Sequence, residues 1–411
     1  MSCRPAPPQV AVTGLGLVTP AGIGVEATWR RVLSGRPTAA VDPLLAGLPV
    51  DFSCRVPGFD PGAHAKTTGG ARLDRFAQFA LAAAGEAIGD ARLDPAAWDG
   101  ARVGVVVGSA AGGVGTLETQ YGRMLGPDHA LPSPLLLPMF LPNMAAGALA
   151  NEFGARGPCL HVSTACASGA TALGTALGLL RTDTCDLVLA GGAEAMITRL
   201  CAAGFAKLGA LSRGRSGPPG ASRPFDAGRD GFVLGEGAGI FVLERAADAR
   251  SRGVRPLAIL AGYGASADAY HPVAPDPAGT GAEAAIRSAL ADAGAAPRDV
   301  EHVNAHGTST PAGDRIEATT LRRVLGGRPS VTSVKGVTGH TLGAAGAIEA
   351  AITVLTLARG EVPPTANLTE PGEGIDIDLV SGTPRTQSPR FALSESFGFG
   401  GQNAVLAFAA A

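Results

Sequence analysis

Two stretches of this chain are apolar on every side over a helical length, and each begins just after a reactive side chain. The first, "ASGATALGTALGLL", runs from about Ala167 to Leu180 and follows Cys166. The second, "GAAGAIEAAITVLTLA", runs from about Gly343 to Ala358 and follows His340. A helix without a polar face has to be buried inside the protein. Two such helices that bring their N-termini to one site predict a duplicated fold packed about a pseudo-twofold axis. Gly169, Gly174 and Gly178 cost helix stability unless close packing requires them.

The rest of the chain agrees with a duplication. Short β-like runs alternate with Ala-rich helical stretches, which predicts an α/β class with buried sheets. The first series is "QVAVTGLGLV", "ARVGVVVGS", "CLHVSTA", "CDLVLAGGAEA" and "GAGIFVLE". The second is "LAILAGYGASA", "VEHVNAHGTS", "SVTSVKGV", "IDLVSG" and "FALSESFGFGGQNAVLAFA". Five and five place a boundary near residue 250, giving halves 1–250 and 251–411. The series share little residue identity, so the duplication is architectural. Gly112 to Arg156 and "SRGRSGPPGASRPFDAGRDG" read as insertions over the sheet ends, where substrate contacts often sit; the second reads equally well as a surface loop.

Composition excludes several functions. At 411 residues, with 46% apolar and 17% charged residues, the chain can bury a large core. A net charge of −2 gives no footprint for a nucleic acid. The N-terminal "MSCRPAPPQVAVTG" carries no apolar stretch of signal-peptide length, and the apolar runs are too short to span a membrane. The expected location is the cytoplasm, where Cys3, Cys54, Cys159, Cys166, Cys185 and Cys201 are reduced thiols. None forms a C-x-x-C pair, so no zinc or redox motif is indicated. No Walker A, H-E-x-x-H or EF-hand sequence is present either. The only lysines are Lys66, Lys207 and Lys335, in a chain otherwise served by arginine. A retained lysine hints at ammonium chemistry that a forked guanidinium cannot supply.

In "VSTACASGATALG", Cys166 stands at the start of the first buried helix. It reads as a core thiol or a nucleophile. A free thiol has a pKa near 8.5. The helix macrodipole contributes about 0.3–1 kcal/mol, up to roughly 2 when partly buried. At about 1.4 kcal/mol per pKa unit, that lowers the thiol by about one unit. "NAHGTSTPAGD" sets His306 at a strand end, and "SVKGVTGHTLGAAG" sets His340 in a second polar turn, five residues after Lys335. Each histidine alone reads as structural. With a helix-capping cysteine at equivalent ends of two halves, they suggest a Cys-His-His site. "SFGFGGQN" supplies pliable backbone at Gly398, Gly400 and Gly401, which suits either a turn between terminal strands or a close approach to a ligand.

Five segments, "VSTACASGATALG", "SRPFDAGRDGFVLGEGAG", "NAHGTSTPAGDRIEA", "SVKGVTGHTLGAAGAIEA" and "SFGFGGQNA", lie in family order over nearly the whole chain. Together they resemble the β-ketoacyl-acyl-carrier-protein synthases of the thiolase superfamily, especially the type II elongating enzymes. The resemblance implies a thiolase-like duplicated αβαβα unit in five layers. It implies a ping-pong condensation in which Cys166 holds the acyl chain and His306 and His340 stabilise the enolate of decarboxylating malonyl-carrier protein. Backbone N–H groups of Cys166 and Phe399 would hold the oxyanion, and Phe399 would gate the acyl pocket. Lys335 would orient His340 and set the site electrostatics, with Glu349 as its partner. Ala111 and Phe205 would line the acyl pocket. Ala111, where a bulky aliphatic residue often closes the pocket, would admit longer acyl chains; Gln402 stands where many members carry Thr.

The same resemblance implies no cofactor beyond the phosphopantetheine arm that carries the substrates. Acyl-carrier protein is the implied partner, with Lys66, Arg72, Arg75 and Lys207 as candidate docking charges. A dimer is implied too, either with a second copy or with a chain-length-factor-like subunit. The rival within this class is the ketosynthase subunit of a type II polyketide heterodimer. A non-catalytic chain-length subunit typically lacks the cysteine present here, and a coenzyme A thiolase uses a different Cys/His/Cys arrangement.

Overall fold

A computed structural model describes residues 7–63 and 72–411. The first half contributes β1 (Val10–Thr19), β2 (Val103–Gly108), β3 (Cys159–Val162), β4 (Leu187–Glu194) and β5 (Gly237–Arg245). The second contributes β6 (Ala258–Ala267), β7 (His302–Asn304), β8 (Ser330–Thr332), β9 (Asp378–Leu379), β10 (Phe391–Gly398) and β11 (Gln402–Ala410). The first set runs β1-β5-β4-β2-β3, with antiparallel pairing at β1/β5 and β5/β4 and parallel pairing at β4/β2 and β2/β3. The second repeats that pattern as β6-β11-β10-β7-β8. The sets meet where Val10–Val12 of β1 pairs antiparallel with Ala258–Leu260 of β6.

Two details differ from the reading of five runs and five. The last run is a hairpin of two strands, because Gly400 and Gly401 take φ of 81° and 69° and reverse the chain. The "IDLVSG" run is an extra edge strand, β9, parallel to β8. "SVTSVKGV" is strand only through Thr332; it then closes into a short helix, Lys335–Thr338.

Helices complete the layers. α1 (Arg75–Asp90) covers the outer face of the first sheet, and α6 (Thr280–Ala293) with α7 (Pro311–Leu325) covers that of the second. α2 (Val114–Leu125) packs against α3 (Leu136–Phe140), with no buried residue in either. The central layer is α4 (Ser168–Arg181) with α9 (Ala345–Arg359); α5 (Arg199–Leu208) and α8 (Lys335–Thr338) flank the site. α4 and α9 touch each other and both sheets, which explains why neither carries a polar face. The 18-residue stretch Leu342–Arg359 has the length and hydropathy of a membrane span, contrary to the expectation that every apolar run falls short. Its side chains are buried in the protein core, and that burial accounts for its composition.

The glycines of α4 divide into two kinds. A Cβ on Gly169 would lie 2.7 Å from the backbone nitrogen of Ala347, and one on Gly174 2.4 Å from the Tyr263 ring. A Cβ on Gly178 would meet nothing within 4 Å. Gly178→Ala is therefore expected to stabilise the protein by about 0.5–1 kcal/mol, the helix-propensity difference. Gly169→Ala is expected to destabilise it by about 1–3 kcal/mol through overpacking. Denaturant unfolding of the two variants reads both; equal effects would contradict the packing account.

Candidate active site

The chain reaches Cys166 through a strained turn. Ala165 takes φ of 50° between β3 and α4, a left-handed conformation that a side-chain-bearing residue adopts at a cost. The turn is tied by the Ser168 hydroxyl, which donates to the Ala165 carbonyl at 2.6 Å and accepts from the Thr164 N–H at 3.0 Å. This holds the sulfur just ahead of the first turn of α4. Gly398 packs against the same turn, where a Cβ would lie 2.5 Å from the Thr164 oxygen and 3.2 Å from the Cys166 nitrogen. The Phe399 N–H then donates to the Cys166 sulfur. Two backbone N–H groups, of Cys166 and Phe399, thus lie beside one sulfur.

Both histidines join it. Cys166, His306, His340, Phe399 and Phe205 line one cavity of about 450 Å³ whose other walls are largely apolar. The two imidazoles meet edge to face with centroids 5.4 Å apart. The site therefore draws on both halves of the chain. In each ring Nδ1 is sealed from solvent and has no hydrogen-bond partner among the described residues. A buried orphan acceptor is tolerated more readily than a buried orphan N–H, which assigns the ring proton to Nε2. Burial, the Lys335 charge and, for His306, the second ring hold both groups well below the usual histidine range. Both are neutral N–H donors at pH 7.

Lys335 is almost fully buried, and its ammonium pairs with the Glu349 carboxylate. It also donates to the His306 carbonyl at 2.6 Å. The expectation that Lys335 orients His340 is corrected on this point, since its hydrogen bond braces the His306 turn. Its charge does act on His340 and Cys166. Burial raises the Glu349 carboxyl to about 7, against the pull of Lys335.

The thiol also departs from expectation. Burial pushes Cys166 up to about 11, although Lys335 and the Phe399 N–H pull it down. A helix N-terminus contributes at most about 2 kcal/mol, less than desolvating a thiolate in this apolar chamber costs. Cys166 therefore rests as a neutral thiol.

The remaining assignments separate clearly. Phe205 lies in the cavity wall, edge to face with Phe232 at 5.5 Å and 6.3 Å from Phe399. Ala110 lines the cavity where Ala111 was expected, in a turn held by Glu194, which accepts from the Ala110 N–H at 2.6 Å. Arg75 is reassigned from docking: it grips buried Glu236 at 2.7 Å and lies over the Phe79 ring. Arg72 is exposed, and Lys207 is exposed one residue before Leu208, which lines the cavity. Lys66 lies outside the described residues, as does Cys3. The other five cysteines are free thiols.

Sequence reasoning missed Thr308 and Thr310 in the cavity wall, and buried Glu317, whose carboxylate accepts from the His306 and Gly307 N–H groups. The spacing "HGTSTPAGDRIE" holds all three but gives no sign of which way each side chain turns. The "SRPFDAG" segment, read equally as a surface loop, is structural: Phe225 is buried, and the Ser222 hydroxyl donates to the Lys335 carbonyl.

Two measurements follow from this geometry. Alkylation of Cys166 by a small thiol reagent, read by peptide mass, is expected to keep accelerating above the free-thiol pKa of about 8.5, towards about 11. A plateau below about 8 would contradict the neutral thiol. Lys335→Met is expected to cost about 3–5 kcal/mol, because it strands a buried carboxylate, and K335M/E349M to regain most of that. Equal losses in both variants would contradict the pairing.

Comparison with known proteins extends this description. Residues 8–249 match the family described as beta-ketoacyl synthase, N-terminal domain, and residues 257–369 match its C-terminal domain. A 3-oxoacyl-[acyl-carrier-protein] synthase 2 of Synechocystis sp. is 42% identical over 407 residues, covering 97% of each chain. One from Staphylococcus aureus is 39% identical, over 97% of this chain and 98% of the relative. Among solved structures, the ishigamide ketosynthase/chain length factor superposes with a TM-score of 0.93 at 33% identity, covering 99% of this chain and 100% of that one. A beta-ketoacyl synthase from Burkholderia phymatum STM815 gives 0.91 at 32% identity, covering 98% and 100%. With its thiolase-like layers and both family regions matched in order, the chain belongs to the beta-ketoacyl synthase family.

Proposed function

We propose that the protein catalyses decarboxylative Claisen condensation: an acyl group on the enzyme joins malonyl-acyl-carrier protein to give a 3-oxoacyl-carrier protein longer by two carbons. The observation that carries this is the single chamber lined by Cys166, His306, His340 and Phe399. The Cys166 sulfur attacks the thioester of an acyl-carrier protein. The C–S bond to the pantetheine arm breaks, and the thiol proton passes to the departing pantetheine sulfur. The acyl chain extends along the apolar wall that includes Phe205 and Met196.

Malonyl-carrier protein then enters. Its terminal C–C bond breaks, carbon dioxide leaves, and the electron pair moves onto the thioester as an enolate. The Nε2–H groups of His306 and His340 donate to that oxygen. Neutral imidazoles serve well, because donors fixed in an apolar chamber stabilise charge that develops only in the transition state. The enolate carbon attacks the acyl carbonyl while backbone N–H groups of Cys166 and Phe399 hold the oxyanion. The C–S bond breaks, and the sulfur regains a proton from solvent. Lys335, paired with Glu349, fixes the His306 turn. The steps use only side chains, backbone and substrates carried on phosphopantetheine.

The partners are acyl-carrier protein and a second subunit of the same fold. Edge strand β3 exposes Cys159 and Leu160, and Tyr121, Leu125 and Leu137 of α2 and α3 are more than half exposed. That surface suits a twofold partner, a second copy or a chain-length-factor-like subunit. A ketosynthase in a type II polyketide synthase complex with its acyl-carrier protein is among the similar structures, with a TM-score of 0.91, which supports the polyketide version of this reading. We place the boundary between halves near residue 250 and the protein in the cytoplasm.

The test offers purified protein, with and without neighbouring gene products, acyl- and malonyl-carrier proteins and measures product mass. Cys166→Ala is expected to abolish elongation. His306→Ala and His340→Ala are each expected to lower malonyl decarboxylation by about 10²–10³, as for loss of an oxyanion-hole donor. Both should still accept an acyl group on Cys166. Elongation by Cys166→Ala, or decarboxylation undiminished in both histidine variants, would overturn the reading.

A further inference from the structure

Behind His306 lies a pair of carboxyls that the condensation steps leave unused. Glu317 of α7 gives one oxygen to the His306 N–H at 2.6 Å and the other to the Gly307 N–H at 2.7 Å. This two-point clamp fixes the backbone that carries the imidazole. Glu395 of β10 is fully buried, and among the described residues neither of its oxygens meets an N–H or O–H donor. After burial itself, the Glu317 carboxyl acts on it most strongly, and Leu393, two residues earlier on the same strand face, packs in one core cluster with Ala318 and Leu321 of α7. Strand register explains the meeting: Asn304 of β7 pairs with Ser394 of β10, so the next residue, Glu395, lies level with the approach to His306.

Two carboxylates in contact and out of water do not both stay ionised. A carboxylate that already accepts two N–H bonds accepts a third hydrogen bond more favourably than it takes up a proton itself, so the shared proton sits on Glu395 and points at Glu317. We propose that Glu395 shares a single proton with Glu317, and that this proton makes Glu395 a positioning residue for His306. Glu395 acts as the O–H donor that keeps Glu317 an acceptor for the turn. The inference rests on the reading that His306 serves decarboxylation.

The surroundings favour one proton on the dyad. Asp314, one turn earlier on α7, is a third buried carboxyl, raised to about 7 by burial and by the Glu317 charge, with Arg229 at 3.5 Å from it. Lys335 attracts Glu317 but is shared with Glu349 and the His306 carbonyl. The neutral His306 ring adds no cation. Burial raises Glu317 to about 7, and burial together with the Glu317 charge holds Glu395 well above the carboxylate range. The dyad therefore gives up its remaining proton only in alkaline solution. A second buried negative charge then repels Glu317 and loosens the clamp.

The test uses three variants of the full chain and two partial reactions. Glu395→Gln keeps the shape and supplies a fixed N–H donor; Glu395→Leu supplies none; His306→Ala is the reference. Malonyl decarboxylation and acyl transfer to Cys166 are each followed across pH. E395L is expected to lose roughly tenfold in decarboxylation and to keep acyl transfer within about twofold. E395Q is expected to match the parent near pH 7 and to lack its alkaline decline. An infrared difference spectrum, parent minus E395Q, should show the stretch of a protonated carboxyl. If E395L does not fold, the E395Q pH profile and spectrum decide alone. A profile superimposable on the parent's, or no protonated-carboxyl band, overturns the proposal. So does E395L decarboxylating at the parent's rate while H306A does not. Full decarboxylation by H306A would instead remove the functional reading on which the proposal stands.

Discussion

The structure depends on the approach of two buried helices at points where one of the two carries no side chain. Gly169 of α4 sits against Ala347 of α9, and Gly346 of α9 sits against Ala170 of α4; a Cβ on either glycine would come within 3.0 Å of the facing backbone. Close-packed interiors yield little to added volume, so this crossing fixes the spacing of the whole central layer. Cys166 lies just ahead of α4 and His340 just ahead of α9, so the same crossing fixes how near a nucleophile from one half comes to an imidazole from the other. His306 reaches the chamber by a separate route, from the end of β7 in the second sheet. The active site therefore results from the packing of the two halves.

Much of this was legible in the residues, and what failed did so for physical reasons. The two all-apolar helices were readable within a residue or two, because burial on every side leaves no polar stripe. The strand series were readable because nonpolar runs of strand length are rare outside sheets. The terminal hairpin was blurred, since its turn residues also looked like a ligand loop. The end of β8 was hidden because a helix of one turn has no periodicity to detect.

Side-chain direction was the harder problem. Ala110 and Ala111 are chemically identical neighbours, and the sequence gives no sign that Ala110 is the one in the cavity wall. Lys335 was correctly singled out by its rarity, yet its reach to the His306 carbonyl depends on a fold that closes 29 residues of separation. The thiol was misjudged because a macrodipole is local and legible, whereas the cost of burying a charge is set by residues far along the chain. Glu395 carried no signal at all; a carboxyl on a nonpolar strand acquires meaning only when Glu317 arrives from another helix.

These charges explain one another. Lys335 is a buried cation that pairs with Glu349 and attracts Glu317, and its compact ammonium reaches a carboxylate and a carbonyl together, which a planar fork would do less well. With that cation paired behind the wall, the chamber itself presents a neutral thiol and two neutral imidazoles. An apolar acyl chain enters without stripping water from an ion. Negative charge appears only as carbon dioxide leaves and again as the new C–C bond forms. In the proposed reaction that charge meets N–H dipoles already held in place, by the Glu317 clamp at His306 and by Gly398 against Cys166. The fold has met the cost of orienting those dipoles before substrate arrives, which is where a preorganised site gains over water.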